Sequence, residues 1–159
     1  MVDAFRVAED GVTLTHVSGV KIIPEHEDPK RYWADEVRVS STVGKGMSPR
    51  YLYASTRGLE ARTKGYVAVF GLDGDGGIMG EALAIYETAT SGGIANAVEP
   101  APKRDGSDEE GVEYLALTDS QEGWVFVLGF DGRQITEVAR VKLEEEGVDV
   151  VKAATAVWL

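Results

Sequence analysis

Apolar and polar residues alternate along most of this chain, in short runs rich in β-branched and aromatic residues and bounded by Gly, Asp and Asn. A period of two belongs to half-buried strands, whose side chains point to opposite faces in turn. The pattern predicts strands near residues 4–8, 11–16, 19–23, 35–41, 50–56, 65–72, 78–87, 94–98, 112–118, 123–130, 134–142 and 153–158. Between them, Asp73-Gly74-Asp75-Gly76-Gly77 and Asp131-Gly132 carry the residues that tight hairpins need. Long helical periodicity is missing. Residues 141–151 mix acidic and apolar positions, but Gly147 and the β-branched run there favour a loop. The expected class is all-β.

A repeat sharpens that expectation. Arg50-Tyr51-Leu52-Tyr53-Ala54-Ser55-Thr56 and then Gly65-Tyr66-Val67-Ala68-Val69-Phe70-Gly71-Leu72-Asp73-Gly74 spell two strands and a turn. Glu113-Tyr114-Leu115-Ala116-Leu117-Thr118-Asp119 and then Gly123-Trp124-Val125-Phe126-Val127-Leu128-Gly129-Phe130-Asp131-Gly132 spell them again. Each unit has one short strand before it and one after it. Four antiparallel strands per repeat is the pattern of a propeller blade, although a sandwich with regular strand spacing would look similar. The division expected is a partial blade at 1–23, a blade at 35–87, a second at 94–143 and a closing strand at 153–159. A closed propeller needs about four to eight blades. Two and a half cannot close a ring, so the chain is expected to be a piece of one, or to complete one with further copies.

Composition narrows the function classes. The length of 159 residues suits one domain, and 43% apolar with 27% charged residues is ordinary for a globular chain. There is no cysteine, which excludes disulfides, zinc–thiolate sites and a cysteine nucleophile. A net charge of −11 repels phosphate backbones and anionic lipid, so neither nucleic acid nor a membrane surface is an expected partner. No apolar stretch approaches the roughly 20 residues of a membrane-spanning helix, and Met1–Arg6 does not read as the start of a signal peptide. A cytoplasmic protein is expected.

The repeat residues also carry a family resemblance. Tyr32-Trp33-Ala34-Asp35-Glu36-Val37, Tyr53-Ala54-Ser55-Thr56-Arg57-Gly58 and Gly65-Tyr66-Val67-Ala68-Val69-Phe70 are similar to fungal carboxy-cis,cis-muconate cyclases. So are Thr90-Ser91-Gly92-Gly93-Ile94-Ala95-Asn96-Ala97-Val98, Thr118-Asp119-Ser120-Gln121-Glu122-Gly123-Trp124 and the ending Ala153-Ala154-Thr155-Ala156-Val157-Trp158-Leu159. The resemblance runs from about residue 20 to the end, in the family's order. It implies about two and a half four-stranded blades of a seven-bladed β-propeller, taken from the C-terminal portion. It also implies an isomerase of protocatechuate breakdown, in which a carboxylate of 3-carboxy-cis,cis-muconate adds across a C=C bond to form a lactone without cofactor or metal. Such a reaction needs cations for the carboxylates and a proton donor for the carbanion-like carbon. Arg57 stands at the family's late-blade arginine, and the resemblance makes it the catalytic and substrate-binding residue. The chain alone, lacking the other blades' site residues, is expected to be inactive. Where the family often has His after Ser-Gly-Gly, this chain has Ile94. A non-catalytic binding protein of propeller type, and a lactonase working in the hydrolytic direction, stay open.

Weighed residue by residue, Arg57 at a strand end reads as a carboxylate clamp or as an exposed loop arginine. Asn96, after Ser91-Gly92-Gly93, is a second candidate for substrate contact from an innermost strand. His16 reads as a solvent-facing strand residue and His26 as part of an acidic loop with Glu25, Glu27 and Asp28, which is no metal site. Asp73 and Asp75 lack the remaining ligand spacing of a calcium loop and read as turn residues. Asp119, Gln121, Glu122 and Trp124 read as a blade hairpin, with a channel-side role as the alternative. Asp105 and Asp108-Glu109-Glu110-Gly111 read as a solvated acidic loop. Open blade faces, with Trp124, Phe126, Val127 and Phe130 among the residues that fill them, are expected to cause self-association.

Overall fold

A computed structural model describes residues 1–42, 47–94, 96–103, 111–144 and 152–159. Among the described residues, ten strands form three antiparallel sheets. Strands β1 (Val2–Val7) and β2 (Leu14–Val20) make a hairpin. The first four-stranded sheet runs in the order β3 (Tyr32–Val39), β4 (Tyr51–Gly58), β5 (Tyr66–Leu72), β6 (Ile78–Glu87). The second repeats that order with β7 (Val98–Pro100), β8 (Glu113–Thr118), β9 (Trp124–Phe130) and β10 (Ile135–Lys142). Each is an antiparallel meander, the strand pattern of a propeller blade.

The sequence repeat is a structural repeat down to the register. Tyr51 faces Gly71 and Leu52 faces Phe70 in the first sheet, while Tyr114 faces Gly129 and Leu115 faces Leu128 in the second. Strand alternation then sorts the core into two layers. Leu52, Ala54, Ala68 and Phe70 point to one side of the first sheet, where Ile22 and the hairpin residues Val2 and Val20 cover them. Tyr53, Val67 and Val69 point to the other side, against Leu115, Leu117, Phe126, Leu128 and Phe130 of the second sheet. Burying each of the Leu, Ile, Val and Phe side chains here stabilises the fold by about 1.5–3 kcal/mol.

The inter-sheet layer also holds a polar link. The Tyr53 hydroxyl donates to Glu113 Oε2 at 2.5 Å, and Lys103 Nζ lies 2.9 Å from Glu113 Oε1. Burial, then the carboxylate beside it, push the Tyr53 phenol well above its ordinary pKa, so it stays a donor.

Four expectations change. Three N-terminal strands were expected at 4–8, 11–16 and 19–23, but two form, because Gly19 lies inside β2 opposite Asp3 rather than breaking it. The real turn lies between them, where Asp10 Oδ1 accepts from the amides of Val12 and Thr13. The strand expected at 94–98 starts at Val98, because side-chain hydrogen bonds take Asn96 off the ladder. No strand forms at 153–158: residues 152–159 lie outside the sheets, held where the Thr118 hydroxyl donates to Ala154 O and Trp158 Nε1 donates to Glu99 O. Finally, Phe126 and Phe130 do not line an open blade face. They are buried and share a parity with Trp124 that turns all three toward the first sheet, whereas Val127 points away.

Candidate functional site

The edge strands β3 and β7 lie next to each other, tied where Arg38 Nε donates to Glu99 Oε2 at 2.8 Å. Above that tie, the end of β4 meets β3 and the loop before β7. Arg57 is the penultimate residue of β4 and pairs with Trp33 on β3. Its guanidinium lies over the Trp33 ring, 4.5 Å from the centroid, and Nη1 donates to Gly93 O at 2.9 Å. Positive φ at Gly92 and Gly93 forms this turn, and the Ser-Gly-Gly sequence explains it, since other residues adopt that backbone only with strain. Asp35, two residues after Trp33, brings Oδ1 to 3.5 Å from Arg57 Nε.

Asn96 closes the group from the other side. Its backbone N–H donates to Asp35 Oδ2 at 3.0 Å and its side-chain amide donates to Thr56 O at 2.8 Å. Gly65 leaves room for this: a Cβ there would sit 2.2 Å from Thr56 O and 3.0 Å from the Asn96 amide nitrogen. Arg57, Asp35, Asn96 and the Gly93 carbonyl thus form one polar cluster where the two sheets meet. Trp33 and Ile94, 59% and 75% exposed, flank it.

The Arg57–Asp35 pair is close enough for charge attraction but not aligned as a hydrogen bond, and Arg57 Nε is buried with no hydrogen-bond partner. An unsatisfied buried donor costs about 1–3 kcal/mol. Burial raises the Asp35 carboxyl from 3.8 to about 6, against the opposing pull of the Asn96 amide and the Arg57 charge, with Glu36 adding to the rise. Chemically, the cluster offers a planar cation stacked on an indole that limits its hydration. That is a fit for a carboxylate.

Sequence reasoning singled out Arg57 and Asn96, and the structure brings both into one cluster. Arg57 is not an exposed loop residue, since its side chain is 14% exposed. Asp35, Trp33 and the Thr56 carbonyl were missed as partners. The available signal was hairpin register, which sets Trp33 against Arg57 and Ala34 against Thr56.

The remaining candidates sit elsewhere. His16 is exposed and lies 3.0 Å from Asp3, and His26 is exposed beside Glu27. Asp73 Oδ1 accepts from the amides of Asp75 and Gly77, which is turn chemistry. Asp119 Oδ1 accepts likewise from Gln121 and Glu122, the turn chemistry of a blade hairpin, with Asp119 Oδ2 buried without a hydrogen-bond partner and Trp124 packed on the inter-sheet core. Asp105 and Asp108-Glu109-Glu110 lie outside the described residues, and Gly111 is exposed.

This chain has relatives among known proteins. No family model matches it. Muconate cycloisomerase 1 of Cutaneotrichosporon cutaneum is 36% identical over 162 residues, covering 99% of this chain. Carboxy-cis,cis-muconate cyclase of Neurospora crassa is 36% identical over 111 residues, covering 70% of it. The chain spans 40% of the length of the first relative, and the match spans 27% of the second. With its two blade-like sheets, the chain is homologous to the fungal muconate cycloisomerase and carboxy-cis,cis-muconate cyclase proteins of the propeller lactonase family.

Proposed function

We propose that this chain supplies part of a site for lactone-forming cyclisation of a muconate, with Arg57 as carboxylate clamp and Asn96 beside it. The observation that carries this reading is the joining of Arg57 and Asn96 in one cluster, in a chain similar to a muconate cycloisomerase along 99% of its length and to a carboxy-cis,cis-muconate cyclase along 70%. In the reaction a substrate carboxylate oxygen bonds to an alkene carbon and the neighbouring carbon takes a proton. The addition is redox-neutral and calls for cations and a proton donor rather than a cofactor. Arg57 holds a carboxylate through the planar N–H fork, which a lysine cannot imitate. The cluster holds one arginine and no histidine among the described residues, so the chain alone is expected to bind a muconate without measurably cyclising 3-carboxy-cis,cis-muconate. Loss of one positioned charge commonly costs about 10² in rate.

A second reading, a non-catalytic scaffold, is favoured by one observation: Arg57 already bonds Gly93 O and thereby ties β4 to the loop before β7. Calorimetric titration with cis,cis-muconate separates the two. Under the first reading the parent chain binds muconate and Arg57→Met abolishes that binding, beyond the stability it loses with the Gly93 bond. A large stability loss, with no muconate binding by the parent chain, supports the scaffold.

A further inference from the structure

Arg57 carries an internal carboxylate that it does not fully bond. Asp35 Oδ1 is 3.5 Å from Nε, that nitrogen is buried with no hydrogen-bond partner, and the other Asp35 oxygen is committed to the Asn96 backbone N–H. Both side chains are largely covered, Arg57 at 14% and Asp35 at 13% exposure, with Trp33 stacked on the guanidinium. One short carboxylate thus serves Asn96 with one oxygen and faces Arg57 with the other. We propose that Asp35 is a positioning residue that competes for the Arg57 clamp: it holds the guanidinium until a ligand carboxylate arrives and yields it to that carboxylate.

The inference rests on the reading of Arg57 as a carboxylate clamp. It follows from charge. With Asp35 ionised, a second carboxylate entering beside Arg57 meets a like charge in a partly dry site, where repulsion is weakly screened. With Asp35 protonated, the repulsion is gone and Arg57 is an uncompensated cation. The charged groups facing Asp35 are Arg57 from β4 and Glu36 from its own strand, the latter paired in turn with Arg38; the loop before β7 offers the neutral Asn96. Burial keeps the Asp35 proton to about pH 6, so the exchange falls in an accessible range.

The test is the affinity for cis,cis-muconate of the parent chain, Asp35→Asn and Arg57→Met across pH. Asparagine keeps an acceptor for the Asn96 N–H and removes the competing charge. The parent is expected to bind more tightly as pH falls from about 7.5 toward about 6, by up to tenfold per unit for one linked proton. Asp35→Asn is expected to bind tightly at both ends, with that dependence lost. A residue that merely props up the site would give weaker binding in Asp35→Asn at every pH. Arg57-dependent binding that is insensitive to pH in the parent, or no tighter in Asp35→Asn, overturns this inference and leaves the clamp standing. Binding that survives Arg57→Met overturns the clamp, as does its absence from parent and Asp35→Asn alike, and the inference falls with it. Should Asp35→Asn not fold, the pH dependence of the parent decides alone, with Arg57→Met as its reference.

Discussion

The two four-stranded sheets share strand order and register, yet they are covered differently. In the first sheet both faces of β4 and β5 are packed, one against the hairpin and one against the second sheet, and β5 is buried from Tyr66 through Gly71. In the second sheet Leu128 and Phe130 of β9 are buried while Val125 and Val127 are only half covered, and Tyr114, Val138 and Val141 are exposed. The same repeat thus makes a central sheet and a terminal one. What separates them is neighbours rather than propensity, because a sheet face gains stability only against something that covers it.

The largest expected effect tests that asymmetry within single strands. Phe70→Ala, on the hairpin side of β5, and Phe130→Ala, on the inter-sheet side of β9, should each cost about 3–5 kcal/mol in urea unfolding. In β5, Val69→Ala on the opposite face should also be costly, at about 1–3 kcal/mol, since that face is dry too. A Phe70→Ala cost below about 1 kcal/mol would mean that the hairpin does not cover the first sheet.

Next comes the boundary between the sheets. The Asp35 carboxyl is raised to about 6 in the folded chain, above the 3.8 of the free group. A folded pKa above the unfolded one means that the folded state holds the proton more tightly. Its stabilising contribution is present in full below about pH 4 and is lost as pH rises through about 6. The shift corresponds to about 2–3 kcal/mol, with partial solvent access lowering that figure. Asp35→Asn should therefore remove a downward step in stability between about pH 4 and pH 7 seen in urea melts of the parent. An unchanged profile would mean that the cluster is wetter than it looks. A somewhat smaller effect is expected for Tyr53→Phe, which removes the buried hydrogen bond to Glu113 across the sheets. A cost of about 1.5–3 kcal/mol is usual for a hydrogen bond to a charged group, and retention of Lys103 beside Glu113 favours the low end.

Legibility in the sequence follows the same divide between local and long-range causes. The blades were readable because alternation and the repeated Gly-aromatic-Val motif are local, and β6 appears at its predicted limits, residues 78–87. Strand β7 was misplaced because it is short and its start is decided by contacts distant in sequence, Asn96 with Asp35 and Thr56. The candidate site was half legible. Arg57 and Asn96 stood out by motif, whereas Asp35 sat inside an ordinary alternating strand, and only the β3–β4 pairing gives it a role. The membership of the open face was not legible, because counting aromatic residues ignores parity.

The smallest effect on folding sharpens the comparison furthest. Val127 and Val138 lie on the second sheet beside Tyr114 and Val141, with Val112 and Val138 closing over Gly129. Replacing Val138 by Lys removes no buried partner in the isolated chain and should change stability by less than about 0.5 kcal/mol, the usual range for surface positions. Its effect on association should be much larger. An uncovered apolar sheet face favours contact with another copy, while the net charge of −11 opposes it at long range. Salt screens the repulsion and leaves the apolar attraction, so the parent chain should associate more strongly at high than at low ionic strength. Sedimentation velocity of parent and Val138→Lys at both ionic strengths checks this: the variant should sediment as a smaller species at high salt with an unaltered urea midpoint. If the parent is a monomer under both conditions, the uncovered face is too small or too wet to drive contact, and the two sheets differ in burial without differing in behaviour.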